Sequence, residues 1–318
     1  MGWRARGAWG LLVLAAALCG CAGPAEGEQS RPQPASARSA LPALTEAAVE
    51  EARRLVQPTN DRRVDTLLEM LEQRGLSYSV ETFPGIGAEE DPRAEGRNVV
   101  VSFGDGTPEV IVGAHIDSVR LPSGELSDGM VDDGAGVVVL LHLADALRDV
   151  PLRRRVRIVF FDMEEIGLVG SRAFVESLDP AEVAAMVNVD VVGYGDTLLY
   201  GPQATSPDGS PAHLLQLACA RRGMPCVGMR GMPPGDDRSF LQAGVPTVSL
   251  GVVSAEEVHR LWLFLHGDLP DDLRGPLAPE ALRIIHTERD TAELLEPEAM
   301  TRAFHTVADV VLDLAAAR

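Results

Sequence analysis

The sequence predicts an α/β protein, a three-layer α/β/α sandwich around a mixed, largely parallel central sheet. Three observations predict it. Apolar runs of strand length alternate with stretches of helical spacing along the chain. Several of those runs lead directly into His or carboxylate residues, which is where open α/β sheets bind ligands. The 318 residues are 46% hydrophobic and 24% charged, enough for a sizeable core, and show no repeat or second core.

Taken in order, Thr45 to Val56 is predicted as a helix. Thr59-Asn60 can cap the next one, since Val64, Leu67, Leu68 and Leu71 recur at helical spacing and Gly75 stops it. Strand-like runs follow at Leu76 to Thr82, Asn98 to Phe103 and Val110 to Ala114, then a helix from about Ala135 to Leu147. The strand Val156 to Phe161 precedes a helix from about Val169 to Ser177. Val187 to Val192 and Leu198 to Tyr200 read as strands, Pro211 to Arg222 as a helix, Thr247 to Leu250 as a buried strand and Pro297 to Ala316 as a closing helix. Residues 253–279 form a polar insertion, read as a lid over the site or as a surface elaboration.

The beginning of the chain has the features of an export signal. Arg4 and Arg6 precede an apolar run, Leu11 to Leu18, that is short for a membrane span. It ends in Leu18-Cys19-Gly20-Cys21, which resembles the bacterial lipoprotein cleavage box. That resemblance implies a signal peptide over residues 1–20, lipidation of Cys21 and a lipid-anchored address in the cell envelope. Plain secretion after a cut near Cys21 is the alternative. Residues 21–42, rich in Ala, Pro, Ser, Glu and Gln, read as a flexible tether, leaving 43–318 as a single domain. Cys219 and Cys226 remain; in an oxidising compartment they fit either a short-range disulfide or two buried thiols.

The formal net charge of −19 makes nucleic acid and anionic lipid surfaces poor partners and favours a bound cation or a cationic substrate group. All 28 basic residues are Arg, which carries no mechanism by itself.

Chemistry gathers at strand ends. After Val110 to Ala114 comes His115-Ile116-Asp117; a loop leads to Asp132-Asp133-Gly134-Ala135-Gly136; Val156 to Phe161 leads into Asp162, Glu164 and Glu165; another strand ends in Asn188-Val189-Asp190; His286-Thr287 and Asp290 follow the last. Each piece alone is common in proteins without function. Carboxylates converging from several strands repel one another and drive protons onto each other unless a cation lies among them. Nitrogen and oxygen ligands without thiolate favour zinc, with manganese or cobalt as alternatives. Two imidazoles and three carboxylates exceed one open tetrahedral site and suit two metals about 3.5–4 Å apart.

The segments "HIDS", "DDGAG", "EE", "NVD" and "HTERD", in this order between His115 and Asp290, resemble the co-catalytic di-zinc aminopeptidases of the zinc-dependent exopeptidase superfamily. The resemblance implies that fold and two divalent ions, most simply zinc. It implies Asp132 as the bridging carboxylate, with His115 and Asp190 on one metal and Glu165 and His286 on the other. Glu164 would be the general base for a metal-activated water, and Asp117 would fix the His115 tautomer. The stretch Gly235-Asp236-Asp237-Arg238-Ser239-Phe240 departs from the family's Ser-Asp-His-x-x-Phe, with Gly235 for Ser and Asp237 for His, which leaves side-chain preference and the transition-state donor open.

The function implied is removal of N-terminal residues from peptides with a free N-terminus. A glutaminyl cyclase on the same fold would use one zinc, and a non-catalytic binding lipoprotein would have lost ligands or base. Carboxypeptidase action is a further alternative.

Overall fold

The computed structural model describes residues 34–202 and 209–317. The export signal, Cys21 and most of the tether lie outside the described residues.

The elements run α1 (Pro34–Ser39), α2 (Glu46–Arg53), α3 (Asn60–Gln73), β1 (Tyr78–Pro84), β2 (Glu95–Phe103), β3 (Glu109–His115), a wide helical turn (Met130–Gly134), α4 (Ala135–Leu147), β4 (Val156–Phe161), α5 (Val169–Glu176), β5 (Val183–Val189), β6 (Thr197–Gly201), α6 (Pro211–Arg222), β7 (Cys226–Gly228), α7 (Asp237–Gln242), β8 (Thr247–Val253), α8 (Ala255–His266), α9 (Asp271–Leu277), α10 (Ala281–Ile284) and α11 (Pro297–Ala316). The strands form one sheet in the order β1-β2-β4-β3-β5-β8-β6-β7. The centre is parallel, β4 with β3, β3 with β5 and β5 with β8. The pairs β1/β2, β2/β4 and β6/β8 are antiparallel, so the sheet is mixed as the sequence predicts.

Both faces are covered, which is why the central strands read as continuous apolar runs. Alternate residues point to opposite faces. Val110, Val112, Ile158 and Phe160 join the larger core beneath α2, α3, α4 and α11, while Ile111, Val159 and Phe161 join Phe174 of α5 and Phe240 of α7 on the other side. Because β4, β3 and β5 are neighbours and parallel, their carboxyl ends open on one edge.

Several boundaries differ from expectation. The apolar run through Val192 leaves the sheet at Val189, because Val191 takes a left-handed backbone (φ 56°). Part of the expected tether folds as α1, where Arg38 pairs with Asp313 and lies 3.8 Å from Asp309 of α11. The composition of the tether could not show that partner. The 253–279 segment begins as the last residue of β8 and continues as α8 and α9. Cys219 and Cys226 form a disulfide between the end of α6 and β7. No helix among the described residues is long and apolar enough to cross a membrane.

Candidate metal centre

His115 is the last residue of β3 and is buried. Its Nε2 lies 2.8 Å from Asp132 Oδ1. Asp132 Oδ2 lies 3.2 Å from His286 Nε2, which is itself 3.0 Å from Glu165 Oε2. The four side chains therefore form a chain, His115–Asp132–His286–Glu165, drawn from four segments. Asp190, just past β5, groups with His115 and Asp133: one ligating atom from each lies within 4.8 Å of the others. His115, Asp132 and Glu165 form a second such group.

Backbone geometry aims these groups. Met163 before Glu164, Val191 after Asp190, and His286 itself all have left-handed φ, near 60°. Each such residue costs about 1–3 kcal/mol unless its surroundings hold it. Here the surroundings are visible. The Asp117 carboxylate accepts the amide protons of Glu164 at 3.0 Å and Glu165 at 3.2 Å. The Asp290 carboxylate accepts those of Met130 at 3.0 Å, Val131 at 2.6 Å and Asp132 at 3.2 Å. Arg63, fully buried, donates to the carbonyls of Ile116, Leu55, Asp128 and Gly129 and ties the two loops together. Asp162 receives Arg93 at 2.7 Å and the Arg97 amide at 2.9 Å, which anchors the start of the Glu164–Glu165 loop.

His115 meets Asp117 through its other ring nitrogen. Its Nδ1 bonds the backbone carbonyl of Asp117 at 3.2 Å, while the Asp117 carboxylate stands 3.6 Å away and is committed to the two amides. His286 does not follow directly from a strand. It is separated from β8 by α8, α9 and α10, and its side chain is 52% exposed. It is the ligand candidate that solvent reaches most easily.

Electrostatics shows what this arrangement demands. Burial, and then the charge of Asp132, pushes the Glu165 carboxyl up to about 7 and that of Asp190 to about 6. Burial also raises Glu164, with Asp236, Asp190 and Glu165 adding repulsion. Burial would raise Asp132 too, but the hydrogen bonds from His115 and His286 hold it below the ordinary range. Those that His286 donates to Asp132 and Glu165 lift its own value to about 10. Glu165 Oε1, Asp190 Oδ1 and both Asp133 carboxylate oxygens are buried with no hydrogen-bond partner in the protein. Buried carboxylates with unmet oxygens, grouped with an imidazole, are the donor set of a divalent cation site, and they fit zinc.

Asp133 carries a signal that sequence reasoning passed over. It is wholly buried, and burial followed by repulsion from Asp190 raises its carboxyl well above the ordinary value. The doubled Asp132-Asp133 could have flagged it as a further ligand candidate. The Gly235 loop also reaches the site. A Cβ on Gly235 would stand 3.0 Å from Asn188 Nδ2 and 3.2 Å from Asp190 Oδ2, so glycine lets this loop approach Asp190 closely. Asp237 is buried here and raised to about 7, by burial and then by Asp190, while Phe240 packs inward against Phe161 and Phe174. The stretch serves both core and site.

A cavity of about 280 Å³ opens beside Glu164, Glu165, Asp190 and His286. Val191, Leu199, Met232, Leu261, Leu282 and Ile285 give it an apolar wall. A second, polar cavity of about 210 Å³ shares Glu165 and His286 with the first and is lined by Asp117, Ser118 and Arg120.

A mixed sheet, covered on both faces, whose parallel central strands end in imidazoles and carboxylates beside an apolar cavity defines a class, the α/β proteins with a candidate metal centre at their strand ends. Residues 98–311 match Peptidase family M28, and the chain belongs to that family. It is 28% identical to aminopeptidase YwaD of Bacillus subtilis (strain 168) over 214 residues, 65% of this chain and 41% of that protein. The chain spans less than half the length of the curated relatives it matches. The crystal structure of Legionella pneumophila LapA aminopeptidase aligns with a TM-score of 0.63 at 18% identity, covering 96% of this chain and 81% of that one. A Porphyromonas gingivalis glutaminyl cyclase aligns with a TM-score of 0.60 at 21% identity, covering 87% and 97%. These two likenesses show a shared fold.

Proposed function

We propose that this chain is a two-zinc aminopeptidase that removes apolar N-terminal residues from peptides. One observation carries the reading: the His115–Asp132–His286–Glu165 chain, with Asp190 beside it, borders an apolar cavity into which Glu164 also faces.

Asp132 offers one carboxylate oxygen to each side, the arrangement of a ligand shared by two ions. His115 and Asp190 would complete one position, and Glu165 and His286 the other. The bound ions would neutralise the carboxylates, polarise the scissile carbonyl and make the attacking water acidic. Everything else is done by the chain. Glu164, raised by burial, would accept a proton from the attacking water and return it to the leaving amine. Asp117 holds Glu164 and Glu165 on their separate headings through the two amides. The acidic edge favours a free α-ammonium group, the apolar cavity takes the first side chain, and the polar cavity leaves room for the rest of the peptide. Export and anchoring through Cys21, which would place the enzyme in the cell envelope, rest on the sequence features of residues 1–21.

The test is metal analysis of the purified protein together with a panel of aminoacyl reporter substrates. Two zinc ions per chain and turnover of leucyl-type reporters support the proposal. One tight zinc per chain with cyclisation of an N-terminal glutaminyl peptide would replace it by the cyclase reading. Intact metal sites without turnover on any substrate would point to a binding lipoprotein.

A further inference from the structure

Glu257 is a buried carboxylate that the proposed chemistry does not use. It lies on α8, where Leu261 is the other buried residue. Its Oε2 accepts hydrogen bonds from Tyr194 Oη at 3.1 Å and from Ser254 Oγ at 3.2 Å, and its Oε1 accepts the Ala281 amide at 2.9 Å.

The three donors come from three segments that meet at the cavity. Tyr194 lies on the loop that begins at Asp190. Ser254 starts α8, and Ala281 opens α10, after which Ile285 lines the cavity and His286 reaches Asp132 and Glu165. Leu261 packs with Leu199, Val253 and Ala281 in a small apolar cluster of its own. One face of α8 is therefore spent joining the two walls of the cavity. A lone carboxylate is an expensive group to bury, and three donors offset that cost here. The Tyr194 hydroxyl is raised by burial and then by the charge of Glu257.

The geometry points to Glu257 as a positioning residue: it holds the 281–286 segment against the Asp190 loop, and so sets both the width of the apolar cavity and the station of His286. The inference rests on the aminopeptidase reading of that site. It gives the 253–279 insertion a role in specificity that surface elaboration would not have. Glu257 acts through Ala281 and Tyr194 and has no contact with the reacting atoms.

The test uses the metal-loaded chain and two readouts. In Glu257→Ala the Ala281 amide and the Tyr194 hydroxyl lose their acceptor. Amide hydrogen exchange across 279–290 should then quicken by about ten-fold, the scale of one unmet buried amide. KM for a leucyl reporter should rise by about ten-fold while that for an alanyl reporter changes less than about two-fold, because only the larger side chain depends on the cavity wall. Glu257→Gln keeps an acceptor for Ala281 and should restore most of both. Unchanged exchange in Glu257→Ala, or leucyl and alanyl KM values that rise by the same factor, overturns the inference. If Glu257→Ala fails to fold, Tyr194→Phe removes one of the three bonds and should shift both readouts in the same direction by less; no shift overturns it equally. If the unmodified chain turns over no aminoacyl reporter, the aminopeptidase reading fails, and the exchange measurement still decides whether Glu257 holds the segment.

Discussion

Asp117 and Glu164 are joined by a 3.0 Å hydrogen bond from the Glu164 amide to Asp117 Oδ1, and the other oxygen of the same carboxylate takes the amide of Glu165. One side chain two residues past β3 thereby fixes the loop that leaves β4. In Asp117→Asn one acceptor becomes an NH₂ group facing an N–H. A lost acceptor of this kind costs about 1–3 kcal/mol, measurable by urea unfolding. We expect kcat to fall by about 100-fold through misplacement of Glu164, with the metal content unchanged. Wild-type kcat in that variant would remove Asp117 from the positioning role.

Glu164→Gln keeps the volume and loses the proton acceptor. Metal content should stay at the wild-type value, and turnover should fall by about 10²–10⁴-fold. A variant as active as the parent would mean that another residue is the base.

His286→Ala should lower the metal content by about one ion per chain, because Glu165 loses its imidazole neighbour while His115 keeps its own carboxylates. Two ions still bound with unchanged affinity would show that His286 is not a ligand.

The stability of the chelated protein should depend on pH with a definite sign. Glu165 at about 7 and Asp190 at about 6 hold protons more tightly in the fold than in the unfolded chain, where such groups titrate near about 4. The native state therefore binds more protons in this window, and stability falls as pH rises from about 4 to 7. His286, raised to about 10, continues the fall at higher pH, since its contribution is complete below about 6.5 and lost through its folded value. Thermal melting in chelator from pH 5 to 8 should show a declining Tm, and added zinc should flatten the decline. A Tm that rises over that range without metal would contradict it.

Arg93→Ala leaves the buried Asp162 without its guanidinium partner, at 2.7 Å in the native fold and with Asp162 fully buried. Removing one member of such a pair costs about 3–5 kcal/mol. Denaturant unfolding checks the loss; a shift within the range of ordinary surface substitutions would show that water reaches Asp162.

Much of this was legible in the sequence because the relevant residues follow strands. His115, Glu164 and Asp190 each stand at or just past the end of an apolar run, and the parallel order β4-β3-β5 places those ends together. His286 was legible only through the order of motifs, since no strand precedes it directly and its loop is held by α8 and α10. The end of β5 was misplaced because a left-handed Val191 is invisible in an apolar run. Asp133 and Glu257 were missed for a common reason. Their importance comes from what faces them across the fold, Asp190 for one and Ala281 and Tyr194 for the other, and no local pattern records such partners.

The glycine at 136 has a consequence for how this centre can evolve. A Cβ there would overlap the Asp133 carboxylate, so the two positions are locked to each other by steric exclusion. A descendant that gained any larger residue at 136 would have to shed or displace the acid at 133 in the same step. Sequence surveys of kindred chains should therefore find the two changing together, and a lineage with an altered residue at 136 has left this arrangement of acids behind.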